Sequence, residues 1–328
     1  MWKTRVCEIL GIQYPILEGG MSIPGNGELA AAVSNAGAFG VVGFNPGWAP
    51  PEQQLDNLRD HIRKAKELTD KPFGVNIPLF AGQEMGRVQN SIEVALQEGV
   101  QVITTSGGNP GLFTKHIKNA GVKVLHVALN VRQAVKAQEA SVDIVIASGY
   151  EAGGLLGPDE IPTLPLIPLV VDAVSVPVVA AGGIADGRGF LAAMALGAEG
   201  IQMGTRFLAT KECHVCNELK EALIRAVDTD TVVTRRNTPP RVRTLRTPWV
   251  CKIEDMEKQG TPKEEIARFI GIGRGREALM LGEIEQGDPS MGVVSAMIKE
   301  IQPAADIIKS IISQAEETIY RCNELYKR

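Results

Sequence analysis

Histidine and cysteine are scarce in this chain, and neither is spaced to build a site of its own. Among 328 residues there are four histidines, His61, His116, His126 and His214, and five cysteines, Cys7, Cys213, Cys216, Cys251 and Cys322. Cysteines this few and scattered exclude a disulfide framework. Cys213 and Cys216 have the spacing of half a zinc site, yet no second CxxC or HxxxH completes four ligands, so no metal is expected. A surplus of one charge is also missing. The net charge of −4, with both signs mixed along the chain, gives nucleic acid or an anionic membrane nothing to select. No apolar run is long enough to span a bilayer, and MWKTRVCEILGIQYP lacks the apolar core of a signal peptide. Cytoplasm is therefore the expected compartment. What remains, 44% hydrophobic and 22% charged, has the composition of a soluble globular protein.

From residue 14 onward, short β-rich runs alternate with amphipathic helical stretches. The strands read as 15–18, 39–43, 73–77, 100–105, 122–128, 142–147, 178–181 and 200–203. Helical patterns fall between them. Short βα connections argue for parallel strands with right-handed crossovers, and eight repeats favour closure into a (β/α)8 barrel. An open Rossmann sheet lacks its fingerprint, because no GxGxxG follows the first strand. After Phe207 the alternation stops. Residues 211–285 read as helices and polar loops without convincing strands, a helical cap subdomain inserted after strand 8. The expected division is a barrel over 1–210, a cap over 211–285, and C-terminal helices over 286–328 that return to the barrel wall.

The most informative stretch is PVVAAGGIADGRGFLAAMALGAEGIQMGT at 177–205. Val178–Ala181 is an apolar run ending on Gly182-Gly183, the pattern of a strand buried on both faces. Asp186 can cap the helix that follows. Ile201–Met203 return as a second strand, ending on Gly204-Thr205. Each turn leaves bare backbone N–H groups at the C-terminal end of a strand, where a phosphate can approach. One such turn is only a tight turn; two on adjacent strands form the phosphate cup seen after strands 7 and 8 of many barrels. The other strand ends supply glycine, amide and hydroxyl groups with little charge. That rim suits a large planar cofactor.

These residues also carry a resemblance. EGGM at 18–21, GVN at 74–76, TTSGGNP at 104–110, YEAGG at 150–154, AAGGIADGRG at 180–189 and MGTRFLATKEC at 203–213 are similar to the nitronate monooxygenase (2-nitropropane dioxygenase) family. That group also includes NADH:quinone reductases and FMN-dependent enoyl-acyl-carrier-protein reductases. RRNTPPRVR at 235–243 and QGDPSMGVVSA at 286–296 resemble the nitronate monooxygenase and quinone reductase branch more closely. The resemblance implies non-covalent FMN. Gly182, Gly183, Gly204 and Thr205 would hold its phosphate, Gly20, Met21, Asn76 and Thr105 would line its ring, and Ser148 and Gly153 would lie close to it.

One departure matters more than the matches. The family's active-site histidine follows the EAGG turn, and here that position is Leu155. A histidine there exchanges protons with the substrate; leucine cannot. Ser148 likewise stands where relatives often have an acid. Glu18, where relatives often have glutamine, either brings a carboxylate to the cofactor or accepts N–H bonds at the strand end. His126 either reaches the site from strand 5 or points away from it in the barrel wall, the simpler reading. No catalytic residue is assigned. The leading expectation is oxidation of alkyl nitronates by O2 through reduced flavin. The alternatives are NAD(P)H-dependent reduction of a quinone or enoyl thioester, and a flavin-binding protein with altered or lost catalysis. Expected partners are a small-molecule substrate, NAD(P)H and O2; the sequence leaves a homodimer open.

Overall fold

The computed structural model describes residues 2–79, 85–271 and 274–327. Its strands are β1 (Ile16–Glu18), β2 (Gly40–Val42), β3 (Phe73–Pro78), β4 (Val102–Ser106), β5 (Lys123–Ala128), β6 (Ile144–Ser148), β7 (Gly154–Leu155), β8 (Val178–Ala181), β9 (Gly200–Met203), β10 (Thr231–Thr234) and β11 (Val242–Leu245). Eight of them form one parallel sheet in the order β1-β9-β8-β6-β5-β4-β3-β2. A parallel bridge between Leu17 and Phe39 joins β1 to the β2 edge and closes the cylinder. The eight strands read from sequence are these eight, so the fold is the expected TIM barrel.

Alternation along each strand divides the side chains between two apolar layers. Leu17, Phe39, Val41, Val102, Leu125, Ile144, Ile146, Val179 and Ala181 pack inside the barrel. Helix Arg5–Leu10, which the sequence reading did not include, adds Val6 and Leu10 to this interior cluster and plugs the N-terminal end. Ile16, Val75, Ile103, Val124, Val145, Val178 and Ile201 face outward into a second layer, against Leu29, Leu58, Ile92 and Phe190 of the surrounding helices. Asp186 caps the helix Gly187–Ala195 as expected, its Oδ1 accepting the N–H of Arg188 at 3.0 Å and of Gly189 at 3.2 Å. The C-terminal helix Ala304–Tyr326 packs on that helix and on Gly27–Asn35. Gly187 permits this: a Cβ there would lie 2.4 Å from the backbone of Ile311 and Ala315.

The cap departs from expectation in one respect. Among the described residues four α-helices lie there, Asn217–Arg225, Pro248–Lys258, Lys263–Ile270 and Arg274–Met280. Between the first two runs an antiparallel hairpin, β10–β11, whose second strand also pairs with β7 through Val242–Leu155 and Arg243–Gly154. The expectation of no strands in 211–285 is thus overturned. Each strand is only four residues long, and the connecting loop is rich in arginine and proline, so the alternation that marks a hairpin is too brief to read. Among the described residues no helix is long and apolar enough to cross a membrane.

Candidate functional site

A cavity of about 630 Å³ opens at the C-terminal ends of the barrel strands and extends beneath the cap. Its volume is that of a cofactor and substrate site. Of the residues expected there, Gly20, Met21, Asn76, Ser148, Gly153, Gly182, Gly183, Gly204 and Thr205 all line it. Strand parity brings in Asn76, Ser106, Val127, Ser148 and Gln202, every one on the inward face.

The same parity excludes Thr105, His126 and Glu18. Thr105 lies on the opposite face of β4 from Ser106, in register with His126 of β5. Its Oγ1 sits 2.8 Å from His126 Nδ1 and 3.1 Å from the Leu125 carbonyl. Neither side chain reaches the cavity, which corrects the placement of Thr105 at the ring and leaves His126 as a wall residue. Burial lowers the His126 pKa to about 4, so its imidazole is neutral at physiological pH. Glu18 is wholly buried on the outer face, where its Oε2 accepts the Val41 N–H at 3.0 Å. Of its two readings, the strand-end role is the observed one. Burial raises its pKa well above the ordinary carboxylate range, and Oε1 has no partner among the described residues.

The two glycine turns meet the requirements of a phosphate cup. Among the described residues, no acceptor is paired with the backbone N–H groups of Gly182, Gly183, Gly204 or Thr205. Gly182 and Gly183 hold φ of 86° and 74°, the left-handed region that a side chain disfavours. Gly204 has φ −103°, so its lack of a side chain serves space rather than backbone shape. Beside this cup, the Glu151 carboxylate is held by Thr163. Its Oε2 accepts the Thr163 N–H at 2.9 Å and lies 2.9 Å from Thr163 Oγ1, capping the helix Thr163–Ala173. At the other end, a Cβ on Gly20 would fall 2.2 Å from the Asn76 side chain, so glycine is what lets that amide face the cavity.

Leu155 lines the cavity from β7 and is 37% exposed. No histidine lines it among the described residues. Its charged lining consists of Glu151, Arg235, Arg274 and Asp288. Asp288 is buried and ion-paired with Arg235; burial raises its pKa against the opposing pull of that guanidinium. Arg274 bonds Glu277 at 2.9 Å, and its guanidinium lies 4.7 Å from the Trp249 ring centroid. Sequence reasoning missed Arg235, Arg274 and the 288–294 segment, because they reach the mouth only through cap tertiary structure. One local signal was present, the QGDPSMG motif. Its Gly292 donates an N–H to Thr205 Oγ1 at 2.9 Å and abuts Gly153.

The CxxC pair is not a site. Cys213 Sγ faces the Pro24 carbonyl and Cys216 Sγ the Ala278 carbonyl. Burial pushes the Cys213 pKa up to about 12, which removes thiolate character.

A (β/α)8 barrel with a capped cavity at the C-terminal mouth is the class of enzyme that this geometry defines. The nitronate monooxygenase family model matches residues 3–314. A probable nitronate monooxygenase of Staphylococcus aureus (strain MSSA476) is 31% identical, over 97% of this chain and 99% of the relative. Among solved structures, FabK from Thermotoga maritima superposes with a TM-score of 0.90 at 40% identity, covering 99% of this chain and 100% of that one. Nitroalkane oxidase from Streptomyces ansochromogenes does so with a TM-score of 0.80 at 25% identity, covering 94% and 98%. The chain belongs to the nitronate monooxygenase family and is an oxidoreductase of that type.

Proposed function

We propose that this protein binds FMN and oxidises alkyl nitronates with O2. The observation that carries the reading is a glycine-walled barrel mouth with, among the described residues, unpaired N–H groups at two adjacent strand ends and no histidine in its lining. Gly183, Gly204 and Thr205 would hold the phosphate through those N–H groups, and Gly20, Met21 and Asn76 would border the ring. FMN, when bound, supplies two-electron oxidation of the substrate and delivery of those electrons to O2.

The remaining chemistry belongs to the protein. A nitronate arrives already deprotonated, so a mouth that offers Leu155 instead of a base is no obstacle to it. The substrate is an anion, and Arg274 contributes positive charge to the cavity wall. Leu155 and Val242, paired across β7 and β11, cover one side of the mouth with apolar surface and reduce water access. A second reading, NAD(P)H-dependent reduction of a quinone or enoyl thioester, is favoured by the cap's second cavity, which a small nitronate does not need.

An anaerobic screen of flavin bleaching tests the proposal. Ethylnitronate should bleach the bound flavin, and the denatured protein should release FMN rather than FAD. Bleaching by NADH or NADPH but not by nitronate would replace the first reading with the second. Bleaching by neither, or a folded protein that cannot be loaded with FMN, would reject both.

A further inference from the structure

Glu151 lines the cavity at the barrel mouth, yet a carboxylate has the wrong charge to meet a phosphate. Its contacts give it another task. The side chain lies against the Gly182-Gly183 turn, where a Cβ built on Gly183 would stand 3.4 Å from the Glu151 Cβ and 3.7 Å from its carboxyl carbon. The carboxylate reaches the helix Thr163–Ala173, and Oε1 and Oε2 accept the Thr163 N–H at 3.1 and 2.9 Å. Pro162, just before that helix, has no group to cap it, so a carboxylate twelve residues upstream supplies the cap.

Thr163 passes the hold on to the turn. Its Oγ1 stands 2.9 Å from Glu151 Oε2 and 2.9 Å from the Gly182 carbonyl oxygen, so one hydroxyl proton serves two acceptors. The packing is close: a Cβ on Gly149 would fall 2.1 Å from that Oγ1, and one on Gly182 would fall 2.9 Å from the Gly149 carbonyl oxygen. The Glu151 main chain is engaged as well. Its carbonyl accepts the Val293 N–H at 3.1 Å, next to Gly292, which donates to Thr205. One residue thus ties both strand-end turns to the 288–294 segment.

The peptide that joins Gly182 to Gly183 is where this matters. With no side chain on either residue, it is the unit of the turn most free to flip. A planar trans peptide points its carbonyl and its N–H in opposite directions. Holding the Gly182 carbonyl to Thr163 therefore turns the Gly183 N–H to the other side, where it meets no acceptor among the described residues.

We propose that Glu151 and Thr163 are positioning residues for the phosphate cup, locking this one peptide so that the Gly183 N–H is presented to a phosphate oxygen. The inference rests on the FMN reading and deepens it.

Titration of the full chain, freed of flavin, with FMN and with riboflavin isolates the contribution of the phosphate. The unaltered protein should prefer FMN. Thr163→Val should weaken FMN about tenfold, the scale of one lost hydrogen bond, and leave riboflavin within about threefold. Thr163→Ser, which keeps the hydroxyl, should restore the preference. Glu151→Ala should lower it as Thr163→Val does. Glu151→Gln should hold or raise it, because an amide oxygen still accepts the Thr163 N–H, its NH2 frees the hydroxyl proton for Gly182, and a negative charge beside the phosphate is gone. Equal affinity for FMN and riboflavin in the unaltered protein rejects the FMN reading and this inference with it. An unaltered FMN preference in Thr163→Val, or a loss that Thr163→Ser does not restore, overturns the inference alone. Should Thr163→Val not fold, the Glu151 pair decides, and equal preference in Glu151→Ala and Glu151→Gln overturns it.

Discussion

Thr105 and His126 face each other at 2.8 Å on the outer surface of the barrel wall, one step of strand parity away from the cavity. The pair therefore belongs to folding rather than to chemistry. Burial favours the neutral imidazole, which is why the His126 pKa falls to about 4.

This makes a pH prediction with a definite sign. The unfolded chain binds a proton at His126 near pH 6.5, whereas the native state resists it until about 4. Stability from this residue is complete above the unfolded value and is lost as pH falls from 6.5 towards 4. The loss is on the order of 3 kcal/mol. His126→Gln should flatten that part of the stability curve, measured by denaturant unfolding at pH 7, 5.5 and 4.5, with flavin content unchanged. A curve parallel to the unaltered protein's, or loss of flavin, would contradict the wall assignment.

The cup yields a prediction that separates two glycines. Gly183→Val introduces a side chain at φ 74°, at a cost of roughly 1–2 kcal/mol, and its Cβ lies 3.4 Å from Glu151. Gly204→Val carries no such backbone penalty, and its Cβ meets Met21 Sδ at an ordinary 3.6 Å. Both should lose flavin, but only the Gly183 variant should also lose stability. Flavin absorbance and thermal melting of the purified proteins distinguish these outcomes. Full flavin occupancy in both variants would mean that the phosphate lies elsewhere.

The barrel was legible because its strands are apolar runs bounded by glycine turns, and the cup because two such turns follow one another across a single helix. Position within a strand was harder. Thr104, Thr105 and Ser106 are all small and polar, so a strand buried on both faces offers no contrast to say which of them points inward. Choosing Thr105 followed the motif and missed the alternation, which sends Ser106 to the cavity. For Glu18 the sequence left two roles open, and the alternation decides between them: its neighbour Leu17 fills the interior, so Glu18 takes the strand-end role. Arg235 and Asp288 lay within the motifs RRNTPPRVR and QGDPSMG, which carried no sign that they reach the cavity, and Arg274 had no local signal at all. They converge only when the cap folds over the mouth, and its short hairpin is anchored by two residues of a loop.

Those two residues include Leu155, and the final prediction rests on it. It pairs with Val242, lines the cavity and is 37% exposed, so an imidazole can replace it without entering the closed core. The carboxylates that line the mouth are engaged, Glu151 by Thr163 and Asp288 by Arg235. Neutral nitroalkanes must lose a proton before oxidation, so the unaltered protein should turn them over far more slowly than preformed nitronates. Positioned acid–base catalysis contributes about 10²–10⁴-fold, and that sets the ceiling on what a histidine can restore. Leu155→His should raise kcat/KM for nitroethane, leave that for ethylnitronate nearly unchanged, and keep the flavin. If Leu155 instead serves as an apolar contact for a larger substrate, the variant gains nothing on nitroethane and binds that substrate more weakly. Equal rates on nitroethane and ethylnitronate in the unaltered protein would show that another group already removes the proton, with Asp288 the first to replace by asparagine.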